Sequence, residues 1–487
     1  MTNDTICALA TPAGGAIGMI RISGDKALEL TDRVFRPAAQ GRRMTEAHAG
    51  TVHYGTIVDG NGAVVDEVLV TVFRAPHSYT GEDSTEISCH GSRYILNKVL
   101  QLLISVGCRQ AEPGEYTRRA YLNGKMDLSQ AEAVADLIAS TNSATHRLAL
   151  GQLRGNVSTE LSHLRDRLLR MTSLMELELD FSDHEELEFA DRSELLRLAQ
   201  DIDSRITALA SSFSSGKAIK QGIPVAIVGK TNVGKSTLLN LLVGEEKAIV
   251  SDIHGTTRDV IEDIIDINGV TFRLMDTAGL RSTDDKIESI GIERTYKKLN
   301  DATIILWLLD SIPAEHECDE MLALSRGKKL IVVNNKTDVT DFTDRLCQQL
   351  GAKALVVKAA SPAAKTIDAE TINPVAKTID SDVAVIGISA RHATNIEELR
   401  STIFRLSDIP AIRENDIIIT STRHYDSLLR AHDSITRVLD GLAAGLSGDL
   451  LSEDLRACLD SLGEITGGQI TTSEVLETIF KHFCVGK

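Results

Sequence analysis

The segment Val225–Leu242, VAIVGKTNVGKSTLLNLL, constrains the fold of this chain more than any other stretch. Its apolar start is typical of a buried strand, and Thr237–Leu242 has the pattern of a helix. Between them, Gly229–Ser236 carries the P-loop pattern, in which backbone N–H groups and a helix N-terminus hold phosphate oxygens. Lys235 can reach the β- and γ-phosphates, and the Ser236 hydroxyl can ligate Mg²⁺. A chance glycine-rich loop is the alternative, but strand and helix both favour a phosphate site on Asn232, Val233, Gly234, Lys235, Ser236 and Thr237.

The composition limits the classes of protein to consider. At 487 residues the chain is long enough for about three domains. Its net charge of −17 argues against a protein that coats nucleic acid non-specifically, without excluding a local basic groove. The seven cysteines form no Cys-x-x-Cys pair, so neither a zinc site nor a disulfide framework is indicated. We expect a cytoplasmic protein without secretory signal, transit peptide or membrane span.

Residues 1 to about 118 have an α/β pattern. We predict strands over 16–22, 51–58 and 64–73, the last two joined by an Asp-Gly-Asn-Gly turn, and a helix over 92–106. The stretch Arg74–Gly91 combines Pro, Gly, His and carboxylates with little periodicity. We expect a loop there, which is either a plain surface connection or a ligand site.

Long helices are predicted on both sides of the nucleotide motifs. From Gly114 to Ile223 there is no proline, and apolar residues recur at spacings of three and four. Helices are also expected over Tyr425–Leu446 and Ser452–Leu462. The simplest architecture is one helical domain interrupted by a nucleotide domain, and two separate helical domains are the alternative. The expected domains are 1–118 (N-terminal), 119–217 (helical, first part), 218–406 (nucleotide) and 407–487 (helical, second part).

One segment has low complexity. The sequence AKTID occurs at Ala364–Asp368 and again at Ala376–Asp380. We expect an exposed insertion over 361–382.

Two motifs after the P-loop are suited to sensing the γ-phosphate. In Gly255–Asp259, Thr257 can complete the Mg²⁺ shell. A hairpin with Asn268-Gly269 at its turn then leads into Asp276–Gly279. There Asp276 is the second Mg²⁺ carboxylate, and the N–H of the glycine can contact the γ-phosphate. The predicted residues are Gly255, Thr256, Thr257, Asp276, Thr277, Ala278 and Gly279.

Two further motifs are suited to reading guanine. A predicted strand ends in Asn335-Lys336-Thr337-Asp338, where the Asp338 carboxylate can accept two hydrogen bonds from guanine that adenine cannot offer. The next strand, 383–388, presents Ser389 and Ala390 towards the base. Five motifs in this order, each beside a suitable strand or loop, predict a GTPase.

The residue after the Asp-x-x-Gly motif is Leu280, where Ras-like GTPases carry a glutamine that orients the attacking water. Another group must therefore position the water. Three carboxylates nearby could do so: Asp284, Asp285 and Glu288. From the residues alone, each is equally well explained as a solvated charge on a loop. Asn232 either stabilises the P-loop turn or ligates a monovalent cation that supplies the positive charge of an arginine finger.

Four segments outside these motifs match one family: Ile17–Gly24, Arg74–Asp83, Gly114–Lys125 and Phe483–Lys487. With them, the whole chain resembles the bacterial tRNA-modification GTPases of the MnmE (TrmE) family. The resemblance implies a multidomain α/β plus all-α protein, with an N-terminal folate-binding and dimerisation domain and a Ras-like P-loop GTPase domain inserted in a helical domain.

The resemblance also implies an activity. The family, as a homodimer that forms a heterotetramer or larger complex with the flavoprotein MnmG (GidA), adds an aminomethyl or carboxymethylaminomethyl group to the wobble uridine of certain tRNAs. A 5-formyl- or 5,10-methylene-tetrahydrofolate supplies the one-carbon unit. Its ligands here would be Arg21, Glu82, Lys125 and Lys487, although surface charge is the plain alternative for Arg21 and Lys125. Cys484 is either a nucleophile or a packing residue.

Potassium is the last ligand that the resemblance implies. It would be held by Asn232 together with Ser251, Ile253 and Thr256, in a loop that also contains Asp252 and His254. In the family, this ion promotes dimerisation of the GTPase domains and GTP hydrolysis. The resemblance assigns the positioning of the catalytic water to Glu288.

The chain departs from the family pattern at Lys230-Thr231, where Arg-Pro or Lys-Pro is expected, at Val485, where isoleucine is expected, and in the repeat at 361–382. Two other functions compete with tRNA modification. One is a regulatory GTPase of ribosome assembly without base chemistry, which would not bind a reduced folate. The other is a folate-dependent one-carbon enzyme regulated by GTP, which would need neither tRNA nor a flavoprotein.

Overall fold

In this computed structural model, the described residues are 4–39, 41–180, 192–244, 263–276, 299–350, 354–356, 382–409, 416–468, 476, 479–481, 483 and 486. They form two seven-stranded sheets and a set of helices between and after the sheets. The two sheets belong to different parts of the chain, one to residues 6–110 and the other to residues 223–387.

The N-terminal part is a mostly antiparallel sheet covered on one face by helices. Its elements are β1 (Ile6–Leu9), β2 (Ile17–Ser23), α1 (Ala27–Val34), β3 (Phe35–Pro37), β4 (Val52–Val58), β5 (Val64–Phe73), β6 (Ser84–His90), α2 (Arg93–Ser105) and β7 (Arg109–Gln110). The strand order is β3-β4-β5-β6-β2-β1-β7, and only β1 and β7 are parallel. Apolar side chains that alternate along the strands, such as Ile20, Val70 and Ile87, form the core with α1 and α2. The predicted strands and the helix over 92–106 are confirmed.

The prediction of a loop over Arg74–Gly91 is wrong for its second half. Ser84–His90 forms β6, which lies between β5 and β2 in the sheet. Thr85, Ile87 and Cys89 are buried, whereas Glu86 and Ser88 are half-buried on the other face. Because only one buried residue of this strand is a large aliphatic, its two-residue alternation is hard to recognise in the sequence. The loop is confined to 74–83.

The helical region is built from both sides of the nucleotide domain. Its helices are α3 (Glu115–Leu122), α4 (Leu128–Ala139), α5 (Ser143–Leu153), α6 (Asn156–Asp180), α7 (Arg192–Ser211), α8 (Phe213–Gln221), and, after that domain, α13 (Thr422–Ala443) and α14 (Gly448–Thr466). Leu168 and Ile202 share one core with Leu428 and Leu455. One interrupted helical domain is therefore confirmed, and the alternative of two separate domains is wrong. The domain limits themselves stay predictions, and the one at 118 falls inside α3.

The nucleotide domain is a mainly parallel sheet with helices on its faces. Its elements are β8 (Ile223–Gly229), α9 (Lys235–Gly244), β9 (Asp263–Ile267), β10 (Val270–Asp276), β11 (Ile304–Leu309), α10 (Glu315–Leu324), β12 (Lys329–Asn334), α11 (Thr343–Leu350), β13 (Ala354–Val356), β14 (Val383–Gly387) and α12 (Ile396–Leu406). The strand order is β13-β14-β12-β11-β8-β10-β9. In register, Gly229 pairs with Leu308, and Asn334 with both Leu309 and Gly387. The loops that carry the motifs therefore leave the sheet at one edge.

The β9–β10 hairpin is tied to the helical domain. The Ala144 N–H at the start of α5 donates to the Gly269 carbonyl at 3.1 Å, and Asn142 Nδ2 donates to Thr271 Oγ1 at 2.7 Å. Asn142 Oδ1 also accepts from the Thr145 N–H and so caps α5. Ala144 is only 1% exposed and packs in the core of the nucleotide domain. These contacts fix the β9–β10 hairpin against the start of α5.

None of the helices in the described ranges combines the length and the apolar character that crossing a lipid bilayer requires.

Candidate functional site

The P-loop turns from β8 into α9 through two residues with positive φ. Gly234 has φ of 100°, and a Cβ there would lie 2.4 Å from Asn335 Nδ2, so a side chain does not fit. Asn232 has φ of 64°, which is uncommon for a residue other than glycine. The Lys235 ammonium donates to the Gly229 carbonyl and, at 3.0 Å, to the Lys230 carbonyl. A cation and a helix N-terminus thus meet in a tight turn, which fits an anion such as phosphate.

Asn335 joins three loops at the edge of the sheet. Its side chain is 2% exposed. Nδ2 donates to the Val233 carbonyl of the P-loop at 2.8 Å, and Oδ1 accepts from the Ala390 N–H at 3.0 Å. We call Val233, Asn335, Asp338, Ser389 and Ala390 the guanine corner. The motifs that the sequence predicts to read the base are therefore brought together around the P-loop.

Asp338 is the carboxylate of this corner. Ser389 Oγ donates to its Oδ1 at 2.6 Å, and His392 Nε2 lies 3.7 Å from its Oδ2. The hydrogen bond from Ser389 is the main cause that lowers the pKa of Asp338 below its ordinary value. The group is therefore ionised at neutral pH and can accept two hydrogen bonds from the N–H groups of guanine.

Lys336 connects the guanine corner with the phosphate side. It has φ of 61°, and its Nζ donates to the Asn232 carbonyl at 2.9 Å. The same ammonium forms an ion pair with Asp310 Oδ2 at 2.7 Å. Thr337 is held by its own N–H, which donates to the Ile388 carbonyl at 3.1 Å. The side chains of Ser236 and Thr237 are exposed in the first turn of α9.

The other predicted residues of the nucleotide and cation sites lie outside the described residues. They are Ser251, Asp252, Ile253, His254, Gly255, Thr256, Thr257, Thr277, Ala278, Gly279 and Glu288, with the alternatives Asp284 and Asp285 and the apolar Leu280. Asp276 ends β10 and pairs in register with Ile227. Across the described ranges, no group of three His, Cys, Asp or Glu side chains could hold a metal ion.

Arg21, a predicted folate ligand, lies on β2 beside two aromatic rings. Its Nε donates to Glu86 Oε1 at 2.9 Å. The guanidinium carbon is 5.3 Å from the ring centre of Tyr79 and 5.7 Å from that of Tyr116. Nη1 also lies 3.5 Å from the carbonyl oxygen of Gly486. The C-terminal segment thus returns to the N-terminal sheet.

Glu82 and Lys125 lie at the loop that precedes β6. Glu82 Oε2 accepts from Ser23 Oγ at 2.7 Å. Lys125 Nζ donates to the Pro76 carbonyl at 2.9 Å, and its stem lies next to Gly81. The loop over 74–83 therefore contains one predicted ligand, Glu82, and is contacted by the other, Lys125. The other two residues from the same prediction, Cys484 and Lys487, lie outside the described residues.

A buried arginine lies behind Glu82. The Arg119 side chain is 10% exposed and binds three carboxylates: Asp4 at 2.7 Å, Glu115 at 3.0 Å and Glu82 at 3.2 Å. Arg109 pairs with Asp4 and Glu115 as well. We call these five residues the arginine cluster. It borders a cavity of about 580 Å³ that Arg118, Asn123 and Leu476 also line.

The two arginines keep Asp4 and Glu115 ionised, because they hold the pKa of each carboxyl below its ordinary value. Burial raises the pKa of Glu115, but hydrogen bonds from Arg109, the Glu112 N–H and Arg119 outweigh burial and hold the pKa below its ordinary value. Arg119 is not among the residues predicted from the sequence, although it lies in a segment that matches the family. The available signal was the spacing of four between Glu115 and Arg119, which places opposite charges on one face of a helix.

Known proteins match this chain over its whole length. The family described as the GTP-binding protein TrmE N-terminus matches residues 5–125, and the MnmE helical domain family matches residues 128–484. The tRNA modification GTPase MnmE of Bacteroides fragilis is 53% identical over 491 residues, covering 100% of both chains. Its counterpart from Phocaeicola vulgatus is 52% identical over 524 residues, covering 100% of this chain and 99% of the other. That from Porphyromonas gingivalis is 46% identical over 490 residues, covering 99% and 98%.

Proposed function

The chain belongs to the MnmE (TrmE) family of tRNA modification GTPases, and from this premise we propose that it modifies the wobble uridine of certain tRNAs together with the flavoprotein MnmG (GidA). The group added is aminomethyl or carboxymethylaminomethyl, and the protein acts in the cytoplasm. The observation that carries the proposal is the contact between Arg21 and the Gly486 carbonyl. It supports a second site, remote in sequence from the GTPase motifs, for which a ribosome-assembly switch has no use.

We assign this second site to a reduced folate, with Arg21, Glu82, Lys125 and Lys487 as its ligands. The described side chains suit such a ligand. Arg21 offers a cation beside the rings of Tyr79 and Tyr116, and a carboxylate such as Glu82 can accept from a pterin amide. A bound 5-formyl- or 5,10-methylene-tetrahydrofolate would supply the one-carbon unit. Cys484 is the candidate nucleophile towards the uridine.

The GTPase site follows from the P-loop and the guanine corner. Lys235 and the start of α9 bind the phosphates, with Ser236 and Thr257 as ligands for Mg²⁺. Asn232, Ser251, Ile253 and Thr256 are the ligands for K⁺, which would supply positive charge beside the phosphates. Glu288 orients the attacking water, the role that Leu280 cannot fill.

The exposed face of the N-terminal sheet supports a homodimer. Tyr54 on β4 and Leu69 on β5 are cross-strand neighbours and are 54% and 46% exposed, and Ile17 on β2 is 68% exposed. An apolar face of this kind on a sheet marks an interaction surface. We propose that a second copy covers it through a two-fold axis.

The deciding experiment is mass spectrometry of tRNA nucleosides from cells that lack this chain. We expect the aminomethyl-type side chains of wobble uridines to disappear and to return when the intact chain is supplied. A Lys235→Ala chain, which retains the N-terminal site, should not restore them. Unchanged nucleosides together with disturbed ribosome profiles would instead identify a regulatory GTPase of ribosome assembly.

A further inference from the structure

Asp310 contacts the nucleotide site although it belongs to none of the five motifs. It directly follows β11, and its Oδ2 lies 2.7 Å from Lys336 Nζ. That ammonium also donates to the Asn232 carbonyl at 2.9 Å. The carboxylate, the ammonium and the P-loop carbonyl thus form a chain of contacts from the central sheet to the P-loop.

We infer that Asp310 is a positioning residue for the cation site, because it holds Lys336 on the carbonyl of Asn232 and so fixes the P-loop turn from which the Asn232 amide approaches the ion. This inference rests on the proposed role of Asn232 as a potassium ligand. It goes beyond that role by adding Asp310, which acts on the site through Lys336.

The backbone of Asn232 makes such support necessary. Its φ of 64° lies in the left-handed region, which residues other than glycine adopt at a cost unless their surroundings hold them. The side chain is exposed, so packing does not fix the residue. The hydrogen bond from Lys336 to the carbonyl directly restrains this peptide.

Asp310 is well placed to direct Lys336. Its neighbour Leu309 accepts a hydrogen bond from the Asn335 N–H at 2.7 Å, so the end of β11 and the start of the Asn335–Asp338 motif are joined by their backbones. A lysine side chain is a flexible point charge with three donors. Without the Asp310 carboxylate, the Lys336 ammonium would donate to the Asn232 carbonyl for a smaller fraction of the time.

The test measures GTP hydrolysis by the full-length chain against potassium concentration, with ionic strength held constant by choline chloride. In Asp310→Asn we expect the potassium concentration for half-maximal activation to rise about three- to fivefold, the range for a partly exposed ion pair. The rate at saturating potassium and the melting temperature should stay those of the unmodified chain. Asp310→Glu should remain close to the unmodified chain. Asp319→Asn, which removes an exposed carboxylate from α10 of the same domain, serves as the matched control.

Each result separates the inference from the function on which it rests. An unmodified chain that hydrolyses GTP equally fast without potassium overturns the cation site and the inference with it, before any substitution is made. A potassium-dependent chain whose half-activation is unchanged in Asp310→Asn overturns the inference alone. The inference is also overturned if the KM for GTP of Asp310→Asn rises at every potassium concentration without a shift in half-activation. Asp310 would then support binding of the guanine base and not of the cation. A lower melting temperature with a proportional loss of rate at all potassium concentrations would reduce Asp310 to a structural residue.

Discussion

The guanine corner is held by single hydrogen bonds, from the Asn335 amide and from Ser389 Oγ, between loops that are neighbours in space, whereas the arginine cluster is held by ion pairs between distant parts of the chain. In the corner, the Asn335 amide joins two backbone groups. In the cluster, Arg119 binds Asp4, which is 115 residues away in sequence, and also Glu82 and Glu115. Loss of the amide leaves two backbone groups unpaired, while loss of Arg119 leaves Glu82 without its cation and Asp4 and Glu115 with Arg109 alone. The corner should therefore govern affinity for nucleotide, and the cluster should govern stability of the N-terminal domain.

The largest effect should come from Arg119→Met. Because the arginine is buried among carboxylates, its removal should destabilise the N-terminal domain by about 3 kcal/mol. Scanning calorimetry of the full chain should show one transition shifted to lower temperature, while nucleotide affinity is unchanged. The matched control is Arg33→Met, which breaks an exposed i,i+4 pair with Glu29 and should have little effect. Equal shifts in the two variants would show that the cluster is no more than surface charge.

Asn335→Ala should have the next largest effect, on nucleotide binding instead of stability of the N-terminal domain. It leaves the Val233 carbonyl and the Ala390 N–H without their partner, which costs about 2 kcal/mol, or roughly a 30-fold loss of affinity. Titration with a fluorescent GDP measures this change. Asn300→Ala, at an exposed position of the same domain, should bind like the unmodified chain. An Asn335→Ala chain of normal affinity would mean that the three loops hold together without the amide.

The same contrast explains what could be predicted from the sequence. Each motif of the guanine corner contains its own turn or strand end, so Asn335, Asp338 and Ser389 could be placed together from their order along the chain. Arg119 has no such local signature. Its partners Asp4 and Glu82 come close to it because α3 packs against β1 and the loop over 74–83. Strand and helix periodicity located most elements. It failed at β6, where short polar residues replace the usual aliphatic ones, and it could not give the order of the strands.

Acid should affect the cluster through Glu115. Its folded pKa lies below the ordinary value, so this carboxylate stabilises the fold above its unfolded pKa, and that stabilisation is lost as the pH falls towards the folded value. Between about pH 5.5 and 3.5, the free energy of unfolding should fall more steeply for the unmodified chain than for Glu115→Gln. The comparison is made by denaturant titration at each pH. Parallel pH profiles would show that Arg109 and Arg119 do not lower the pKa of this group.

The smallest effect is expected from Ser389→Ala. The hydroxyl holds one oxygen of Asp338, and its loss should weaken GDP binding about three- to fivefold. The loss should be specific to guanine, because we propose that Asp338 is the group that distinguishes the bases. Ser407→Ala, which removes a hydroxyl bonded only locally after α12, is the control. If Ser389→Ala weakened GDP and ADP binding equally, the hydroxyl would support the fold of the corner and not its selectivity.

The contact between Arg21 and Gly486 has a consequence for the order of events during protein synthesis. The GTPase domain lies wholly between these two residues, so it can fold on the ribosome while the segment around Gly486 is still untranslated. The N-terminal sheet is synthesised first, but Arg21 can meet its partner only after the segment around Gly486 has been made. A nascent chain would thus gain the ability to bind GTP before its second site is complete, and a chain truncated before Gly486 would keep the GTPase motifs without being able to assemble that site.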